Sequence, residues 1–272
     1  MVGDVFGNAC DVLRGWMVPI AIASKRVGRK PSVGLGAGVV LNRDGWVLTA
    51  GHIVSEIDAL YQARASLGKG KSKKQGDVEG VKVVWGVPGD LNASAGIVQP
   101  ETDLGLCKLE GFSDSSFRPP KLRGNGVRQG ELLCRAGYPL IGNIKVDWNS
   151  QTEEFTLTDL FPATVFVNEG VVARFLGSGP TGTEHVFIET SSPGLRGQSG
   201  GPLVDPDGRL CGIQIRTTHY PLGFTPQVGN RKEHQFLNAG QAVHVDTVKA
   251  FLDDHDVDYR RDRSIFGWWK HG

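Results

Sequence analysis

The sequence has 272 residues, of which 39% are hydrophobic and 22% are charged, so its composition fits a chain with an apolar core and excludes a disordered one. The formal net charge is +1, which gives no reason to expect a nucleic acid or a membrane as partner. The basic cluster of Lys69, Lys71, Lys73 and Lys74 is interpreted as a solvated surface loop, with a docking patch as the less favoured alternative.

Four cysteines are present without a C-x-x-C pair, which argues against zinc and redox motifs. Cys107, Cys134 and Cys211 stand among apolar residues and are expected to be small buried side chains. The N-terminus carries Asp4 where a secretion signal needs positive charge, and no apolar stretch is long enough to span a bilayer. We therefore expect a cytoplasmic protein with reduced cysteines.

The first half of the chain is a succession of strand-like runs after a lead-in segment that favours a short helix. Asp44-Gly45 between two apolar runs predicts a hairpin. A stretch at 112–127 that is rich in Ser, Pro, Gly and Arg predicts a linker. Strands are predicted at 17–24, 34–42, 46–49, 81–87, 95–98 and 104–109.

The second half continues with strands and ends in a helix. Residues 216–237 predict a long polar loop. Asp246 is the expected cap of a helix that ends near Asp254 and presents Val248, Phe251 and Leu252 on one face. Many short strands with one late helix favour an all-β double barrel or a sandwich. Strands are predicted at 132–136, 164–167, 171–175, 186–189, 202–204, 210–215 and 241–245.

A glycine-rich turn supplies a candidate nucleophile, Ser199, in the segment G-Q-S-G-G-P-L-V. A serine hydroxyl needs an adjacent base, a group that orients the base, and backbone N–H donors for the developing oxyanion. In such a turn the N–H groups of Gly197 and Ser199 can point to one spot. The alternative is an ordinary glycine-rich surface turn.

A candidate base and its orienting acid lie in two further segments. His52 follows a strand in T-A-G-H-I-V, and Asp103 leads into an apolar strand in T-D-L-G-L. An acid at the start of a core strand is placed where a partly buried carboxylate can hold an imidazole. The alternatives are a structural histidine and an ordinary turn residue.

These three segments, in the order His, Asp, Ser, resemble the trypsin-like (chymotrypsin-fold) serine peptidases, over about residues 15–253. The resemblance is closest to the bacterial HtrA-type branch, because a G-V-V-L-N-R-D-G-W-V-L-T-A-G-H-I-V hairpin leads into the histidine. HtrA proteins usually carry a PDZ domain after the peptidase domain, and we do not expect one here.

The resemblance implies an all-β fold of two six-stranded antiparallel β-barrels with a C-terminal helix. The expected divisions are a lead-in at 1–14, a barrel at 15–118 with His52 and Asp103, a barrel at 119–245 with Ser199, and a helix and tail at 246–272. It implies a serine endopeptidase that forms an acyl-enzyme on Ser199, with Gly197 and Ser199 as the oxyanion hole. No cofactor and no metal are expected, and the expected partner is a protein or peptide substrate.

Departures from the family concern activation and specificity. Gln198 stands where trypsin has the aspartate that pairs with a cut N-terminus, and the disulfides of secreted trypsins are missing. By resemblance the pocket for the P1 side chain, which precedes the scissile bond, has no carboxylate, so we expect an apolar P1 preference. The residues assigned to this pocket are Pro193 and Gly194 at the floor, Arg196 at the mouth, Ile215, Arg216 and Thr217 along one wall, and Gly240 opposite.

Two alternatives to a constitutive peptidase remain open. One is a non-catalytic binding or scaffold protein on a protease fold. The other is an enzyme that stays latent until an activating protein partner orders its loops, for which residues 216–237 and the aromatic tail at 266–269 are the motivating features.

Overall fold

The computed structural model describes residues 5–67, 72–89, 91–139, 144–178, 185–233 and 235–262. After a short helix, α1 (Gly7–Leu13), the first half of the chain builds an antiparallel six-stranded sheet with the order β4-β1-β2-β3-β6-β5. Its strands are β1 (Met17–Arg26), β2 (Ser32–Val40), β3 (Trp46–Ala50), β4 (Val78–Trp85), β5 (Ala93–Gln99) and β6 (Leu104–Leu109).

The predicted β2–β3 hairpin is present, with Val39 paired to Leu48 and Gly45 at a φ of 82° in the turn. Glycine accepts this left-handed conformation without steric cost. Strand β1 is a nearly continuous run of buried residues, which fits a strand that packs on both faces. The two outer strands β4 and β5 have no pairing with each other among the described residues.

The second half of the chain builds a sheet with the order β13-β8-β11-β12-β17-β14-β7-β18. An additional pairing between β13 and β14 closes six of these strands into a barrel. The strands are β7 (Lys121–Leu122), β8 (Leu132–Gly137), β11 (Phe166–Ser178), β12 (His185–Thr190), β13 (Pro202–Val204), β14 (Leu210–Pro221), β17 (Phe236–His244) and β18 (Arg260–Arg261). Two small hairpins form separate two-stranded sheets: β9 (Lys145–Asn149) with β10 (Glu154–Thr158), and β15 (Gln227–Val228) with β16 (Arg231–Lys232).

The all-β double-barrel fold class is confirmed, with one barrel closed by hydrogen bonds and the first sheet forming a half-barrel. One apolar cluster extends across both halves and includes Leu48, Leu106, Ile213 and Val243. Burial of such side chains contributes about 1.5–3 kcal/mol each. This shared core fixes the two sheets against each other, and we call the line along which they meet the groove. The proposed domain borders stay predictions.

The long helix α2 (Gly51–Ser66) was not expected, because His52 was placed at the end of a strand. Its buried residues Ile53, Val54, Ile57 and Leu60 follow a helical spacing that the sequence does contain. The usual start signal is missing, since the N-cap is Ala50, which has no capping side chain.

Three further sequence predictions need correction. Residues 216–237 are not one long loop, because β14 continues to Pro221 and pairs with β17 up to Phe236. The strands predicted at 164–167 and 171–175 are one strand, β11. The last helix, α3 (Val245–Asp253), is capped by His244, whose ring Nδ1 accepts from Asp246 N–H at 3.1 Å, so Asp246 lies in the first turn and is not the cap.

Cys107, Cys134 and Cys211 are buried and unpaired, as expected. Within the described ranges, no helix is long and apolar enough to cross a membrane, and no cluster of three or more His, Cys, Asp or Glu side chains is arranged to hold a metal ion. The aromatic tail at 266–269 lies outside the described residues.

Candidate active site

His52 and Asp103 meet where α2 follows β3 and where β6 begins. The pairing of Ala50 with Leu104 brings the two segments side by side. The ring Nδ1 of His52 lies 2.9 Å from Asp103 Oδ2, and the backbone N–H of His52 donates to Asp103 Oδ1 at 2.7 Å. The Gly51 N–H donates to the Asp103 carbonyl at 2.7 Å. Asp103 therefore caps α2 from the turn that leads into β6 and orients the imidazole at the same time.

The carboxylate of Asp103 raises the pKa of His52 above its ordinary 6.5, chiefly through the hydrogen bond between the two side chains. Partial burial opposes this shift, and the negative charges of Asp103 and Glu56 add to it. The imidazole is thereby made a stronger base. Asp103 itself has a φ of 56°, a conformation that Asp tolerates better than most residues.

The Ser199 turn is fastened to both sheets. Ser199 C=O accepts from Ala37 N–H on β2 at 2.8 Å, and Gly200 N–H donates to the Gln214 carbonyl on β14 at 2.7 Å. Gly200 has a φ of 80°, and a Cβ added there would collide with Ala37 O and Thr49 Oγ1. Because Thr49 lies three residues before His52, this close approach puts the serine turn beside the start of α2. All three candidate catalytic residues thus border the groove between the sheets.

The Ser199 hydroxyl is turned towards Ile215, to whose carbonyl it donates a long hydrogen bond of 3.4 Å. Across the described ranges there is no hydrogen bond between Ser199 and His52. Rotation about one side-chain bond reorients a hydroxyl, and catalytic hydrogen bonds are often long or misaligned before substrate binds. The His–Asp pair is therefore formed in this state, whereas the Ser–His contact is not.

The two predicted oxyanion donors lie in the same turn. Gly197 has a φ of 90°, and its carbonyl accepts from Tyr138 N–H at 2.9 Å. The backbone N–H groups of Gly197 and Ser199 have no acceptor among the residues that the structure describes. Two unpaired donors in one turn are the arrangement that an oxyanion requires.

The buried side chain of Gln198 ties down the loop that carries these donors. Its Nε2 donates to Asn168 Oδ1 at 2.8 Å, and its Oε1 accepts from Leu195 N–H at 2.9 Å. Asn168 Nδ2 in turn donates to the Pro193 carbonyl at 2.8 Å. No local signal points to Asn168, because it lies on β11, far along the chain from the turn.

The residues assigned to the P1 pocket lie close to one another. Thr217 Oγ1 donates to the Gly194 carbonyl at 2.7 Å, and Gly240 N–H donates to the Ser192 carbonyl at 2.8 Å. These bonds bring the Pro193–Gly194 segment against the 215–217 wall and against Gly240. Arg216 Nε donates to Gln241 Oε1, and Arg196 is exposed. Their roles in substrate binding stay predictions.

One charged residue behind this pocket was missed. Arg135, on β8, is only 1% exposed, and its guanidinium donates to the carbonyls of Ser192 and Pro193 at 3.2 and 3.1 Å. The signal available in the sequence was an arginine in the middle of an otherwise apolar strand, L-L-C-R-A-G.

The chain belongs to the family described as the trypsin-like peptidase domain, whose model matches residues 36–213. This match covers the His52, Asp103 and Ser199 segments together. The fold and the family therefore agree on the class of protein, the trypsin-like serine peptidases.

Relatives within this class are HtrA-like. The chain is 23% identical over 214 residues to the serine protease HTRA2, mitochondrial, of Bos taurus. The aligned region covers 79% of the chain and 38% of the relative. It is 26% identical over 191 residues to a probable periplasmic serine endoprotease DegP-like of Brucella suis. This aligned region covers 69% of the chain and 28% of the relative. The chain thus spans less than two fifths of the length of these relatives.

A solved structure described as the HtrA-type protease AlgWS227A with tripeptide has a similar fold. It superposes with a TM-score of 0.52 at 17% sequence identity and covers 91% of this chain and 62% of that one. At this identity the likeness concerns the fold alone.

Proposed function

We propose that the chain is a serine endopeptidase that cleaves protein substrates with His52, Asp103 and Ser199 as its triad. The observation that carries the proposal is the His52–Asp103 contact of 2.9 Å at the edge of the groove that also holds the Ser199 turn. In this proposal His52 Nε2 removes the Ser199 proton as the hydroxyl oxygen attacks the substrate carbonyl. Because Nδ1 is engaged by Asp103, Nε2 is the ring nitrogen left to take this proton.

The tetrahedral intermediate places its negative oxygen at the N–H groups of Gly197 and Ser199. His52 then donates its proton to the leaving amine as the C–N bond breaks, which leaves the acyl-enzyme ester on Ser199. A water molecule, deprotonated by His52, attacks the ester carbonyl. His52 returns that proton to Ser199 Oγ as the C–O bond to Ser199 breaks and the carboxylic acid product leaves.

A gated form of this activity is the second candidate, and the position of the Ser199 hydroxyl favours it. That hydroxyl donates to Ile215 and not to His52, so it must rotate towards His52 before attack. Binding of substrate or of a protein partner at the groove would drive this rotation. A scaffold protein without activity is the alternative from another class.

A fluorophosphonate probe tests the proposal directly, because it reacts only with an activated serine. We expect covalent labelling at Ser199 in the wild-type protein and none in Ser199→Ala or His52→Ala. N-terminal profiling of a cell lysate treated with wild type or Ser199→Ala then identifies substrates. Labelling that rises on addition of a lysate fraction supports the gated form. Absence of labelling under every condition would contradict the proposal and favour a scaffold protein without activity.

A cytoplasmic location and a bacterial source stay predictions.

A further inference from the structure

Arg135 is a buried cation whose hydrogen-bond partners are all neutral. It lies on β8 with 1% of its surface exposed. Its three nitrogens donate to Gln214 Oε1 from Nε, to Ser192 O, Ser192 Oγ and Pro193 O from Nη1, and to Thr190 Oγ1 from Nη2. Nη2 carries two N–H groups and has this single acceptor among the described residues, so its second N–H is left without a hydrogen-bond acceptor there.

Arg135 differs from the other buried arginine, Arg123, because no carboxylate pairs with it among the described residues. Arg123, also buried, forms a bidentate pair with Glu131 at 3.0 and 2.9 Å. The nearest acid along β12, Glu189, is committed to Arg174 and Tyr220. Arg135 has no carboxylate partner in the part of the chain that the structure describes. An unpaired buried charge is costly, so a carboxylate that reaches it gains the interaction that the fold leaves unfilled.

The guanidinium remains charged under ordinary conditions. Burial lowers the pKa of Arg135 to about 10, which still lies well above neutral pH. A positive charge therefore persists in a region of low dielectric constant, where its attraction for an anion is stronger than at the surface.

The position of this cation coincides with the proposed P1 pocket. Nη1 holds the carbonyls of Ser192 and Pro193 at the pocket floor. A Cβ added to Gly240 would collide with Nη2, so the absence of a side chain there leaves that nitrogen against the pocket wall. Gln214, which accepts from Nε, also lies against Gly194, because a Cβ added to Gly194 would collide with Gln214 Nε2.

We propose that Arg135 makes this pocket select an acidic P1 side chain, with glutamate preferred to aspartate. The inference rests on the proposed peptidase function and names its substrate class. Because the guanidinium lies behind the floor and not at the mouth, the longer glutamate reaches it better. The apolar preference expected from the sequence was based on the assigned pocket residues, which include no carboxylate. Arg135 was not among them, because it lies on β8, far from these residues along the chain.

A peptide panel that varies only the P1 residue tests the inference on the wild-type protein. Fluorogenic peptides with Glu, Asp, Gln, Leu and Arg at P1 are compared by kcat/KM. We expect Glu to exceed Gln by at least ten-fold, because these side chains have nearly the same shape and differ in charge, and to exceed Leu and Arg by more. Leu or Gln equal to Glu overturns the inference.

Fluorophosphonate labelling, measured in parallel, distinguishes failure of the P1 preference from failure of the proposed peptidase activity. Labelling without a Glu preference overturns the specificity and leaves the peptidase standing. Absence of both labelling and cleavage, also after addition of the lysate fractions, overturns the peptidase, and the specificity with it.

Variants then assign the preference to Arg135. Arg135→Gln is expected to reduce the Glu to Gln ratio at least ten-fold, and Arg135→Lys to retain part of it. Arg43→Gln, an exposed arginine in the β2–β3 turn, controls for general charge effects and should leave the ratio unchanged. A ratio that survives Arg135→Gln but collapses in Arg196→Gln assigns selectivity to the pocket rim and overturns the inference.

If Arg135→Gln does not fold, the inference can still be tested on the wild-type protein. Peptide aldehydes with Glu or Gln at P1 are compared on wild type, since they report the pocket through inhibition constants alone. We expect the Glu aldehyde to bind at least ten-fold more tightly, and equal binding contradicts the role of Arg135.

Discussion

Asp103 holds His52 by two atoms at once: Oδ1 accepts the backbone N–H at 2.7 Å, and Oδ2 contacts the ring Nδ1 at 2.9 Å. One carboxylate thereby sets the start of α2 and the orientation of the imidazole that the helix carries. Stability of the helix end and positioning of the proposed base are consequently coupled through a single side chain, and substitutions of Asp103 separate the two effects.

Replacement of the proposed nucleophile is expected to abolish turnover. Ser199→Ala and His52→Ala should each lower kcat on the order of a million-fold, because triad members act as a unit. Cleavage of the best P1 peptide, together with fluorophosphonate labelling, measures this. Ser113→Ala, an exposed serine in the linker, is the matched control and should react as wild type does. Substantial cleavage by Ser199→Ala would rule out the triad.

Two substitutions of Asp103 distinguish capping from catalysis. Asp103→Asn retains an oxygen for the His52 N–H and a residue type that tolerates a φ of 56°, so its stability should stay within ~0.5 kcal/mol of wild type. Its activity should fall on the order of 10⁴-fold, because the ring loses the partner that fixes its tautomer.

Asp103→Ala loses the cap as well as the charge and places a Cβ residue in a left-handed conformation. It should unfold with a free energy lower by about 2 kcal/mol. Denaturant unfolding of wild type and both variants measures this difference. Equal stability of Asp103→Asn and Asp103→Ala would show that the backbone contact does not stabilise α2.

The pH dependence of kcat/KM follows from the raised pKa of His52. The base must be neutral to act, so activity should rise with pH through a midpoint above 6.5. Glu56→Gln removes a smaller negative contribution and should move this midpoint slightly downward with little effect on the rate at high pH. Glu110→Gln, an exposed acid outside the site, should leave the profile unchanged. A midpoint below 6.5 would contradict the His52–Asp103 interaction.

A methyl group at Gly200 is expected to displace the serine turn. Gly200→Ala meets Ala37 O and Thr49 Oγ1 in addition to the strain of a φ of 80°, so labelling of Ser199 should be lost and stability should fall by about 2–4 kcal/mol. Gly111→Ala shares the backbone strain at a φ of 74° and meets nothing within 4 Å. It should cost only about 1 kcal/mol and leave labelling intact. Equal losses in the two variants would show that the contact with the first sheet is unimportant.

The Gln198–Asn168 contact should appear as a coupling energy. Gln198→Ala leaves the half-buried Asn168 without this partner, and Asn168→Ala leaves the buried Gln198 without it, at a cost of about 1–3 kcal/mol each. The double variant should cost clearly less than the sum of the two, with a coupling of at least ~0.5 kcal/mol. Urea unfolding of the four proteins measures the cycle, and strict additivity would contradict the contact.

Errors of the sequence predictions cluster where long-range contacts replace local signals. Helix α2 begins without a local cap because the cap, Asp103, comes from the turn that leads into β6. Strands β14 and β17 extend beyond their apolar cores because they pair with each other, and polar side chains are acceptable on strands that are exposed on one face. Neither fact is visible in a window of neighbouring residues.

Local chemistry, in contrast, was enough for the turn at Gly45, the strands β3, β6 and β13, and the helix near Phe251. Turn residues and apolar periodicity act over a few positions, so the sequence by itself determined these parts, and its resemblance to the trypsin-like peptidases indicated the class of fold. Tertiary structure alone decided that Asp103 caps α2, that the Ser199 hydroxyl faces Ile215, and that the charge of Arg135 lies behind the pocket. These relationships depend on which strands become neighbours, and the shared core of the two sheets sets that arrangement.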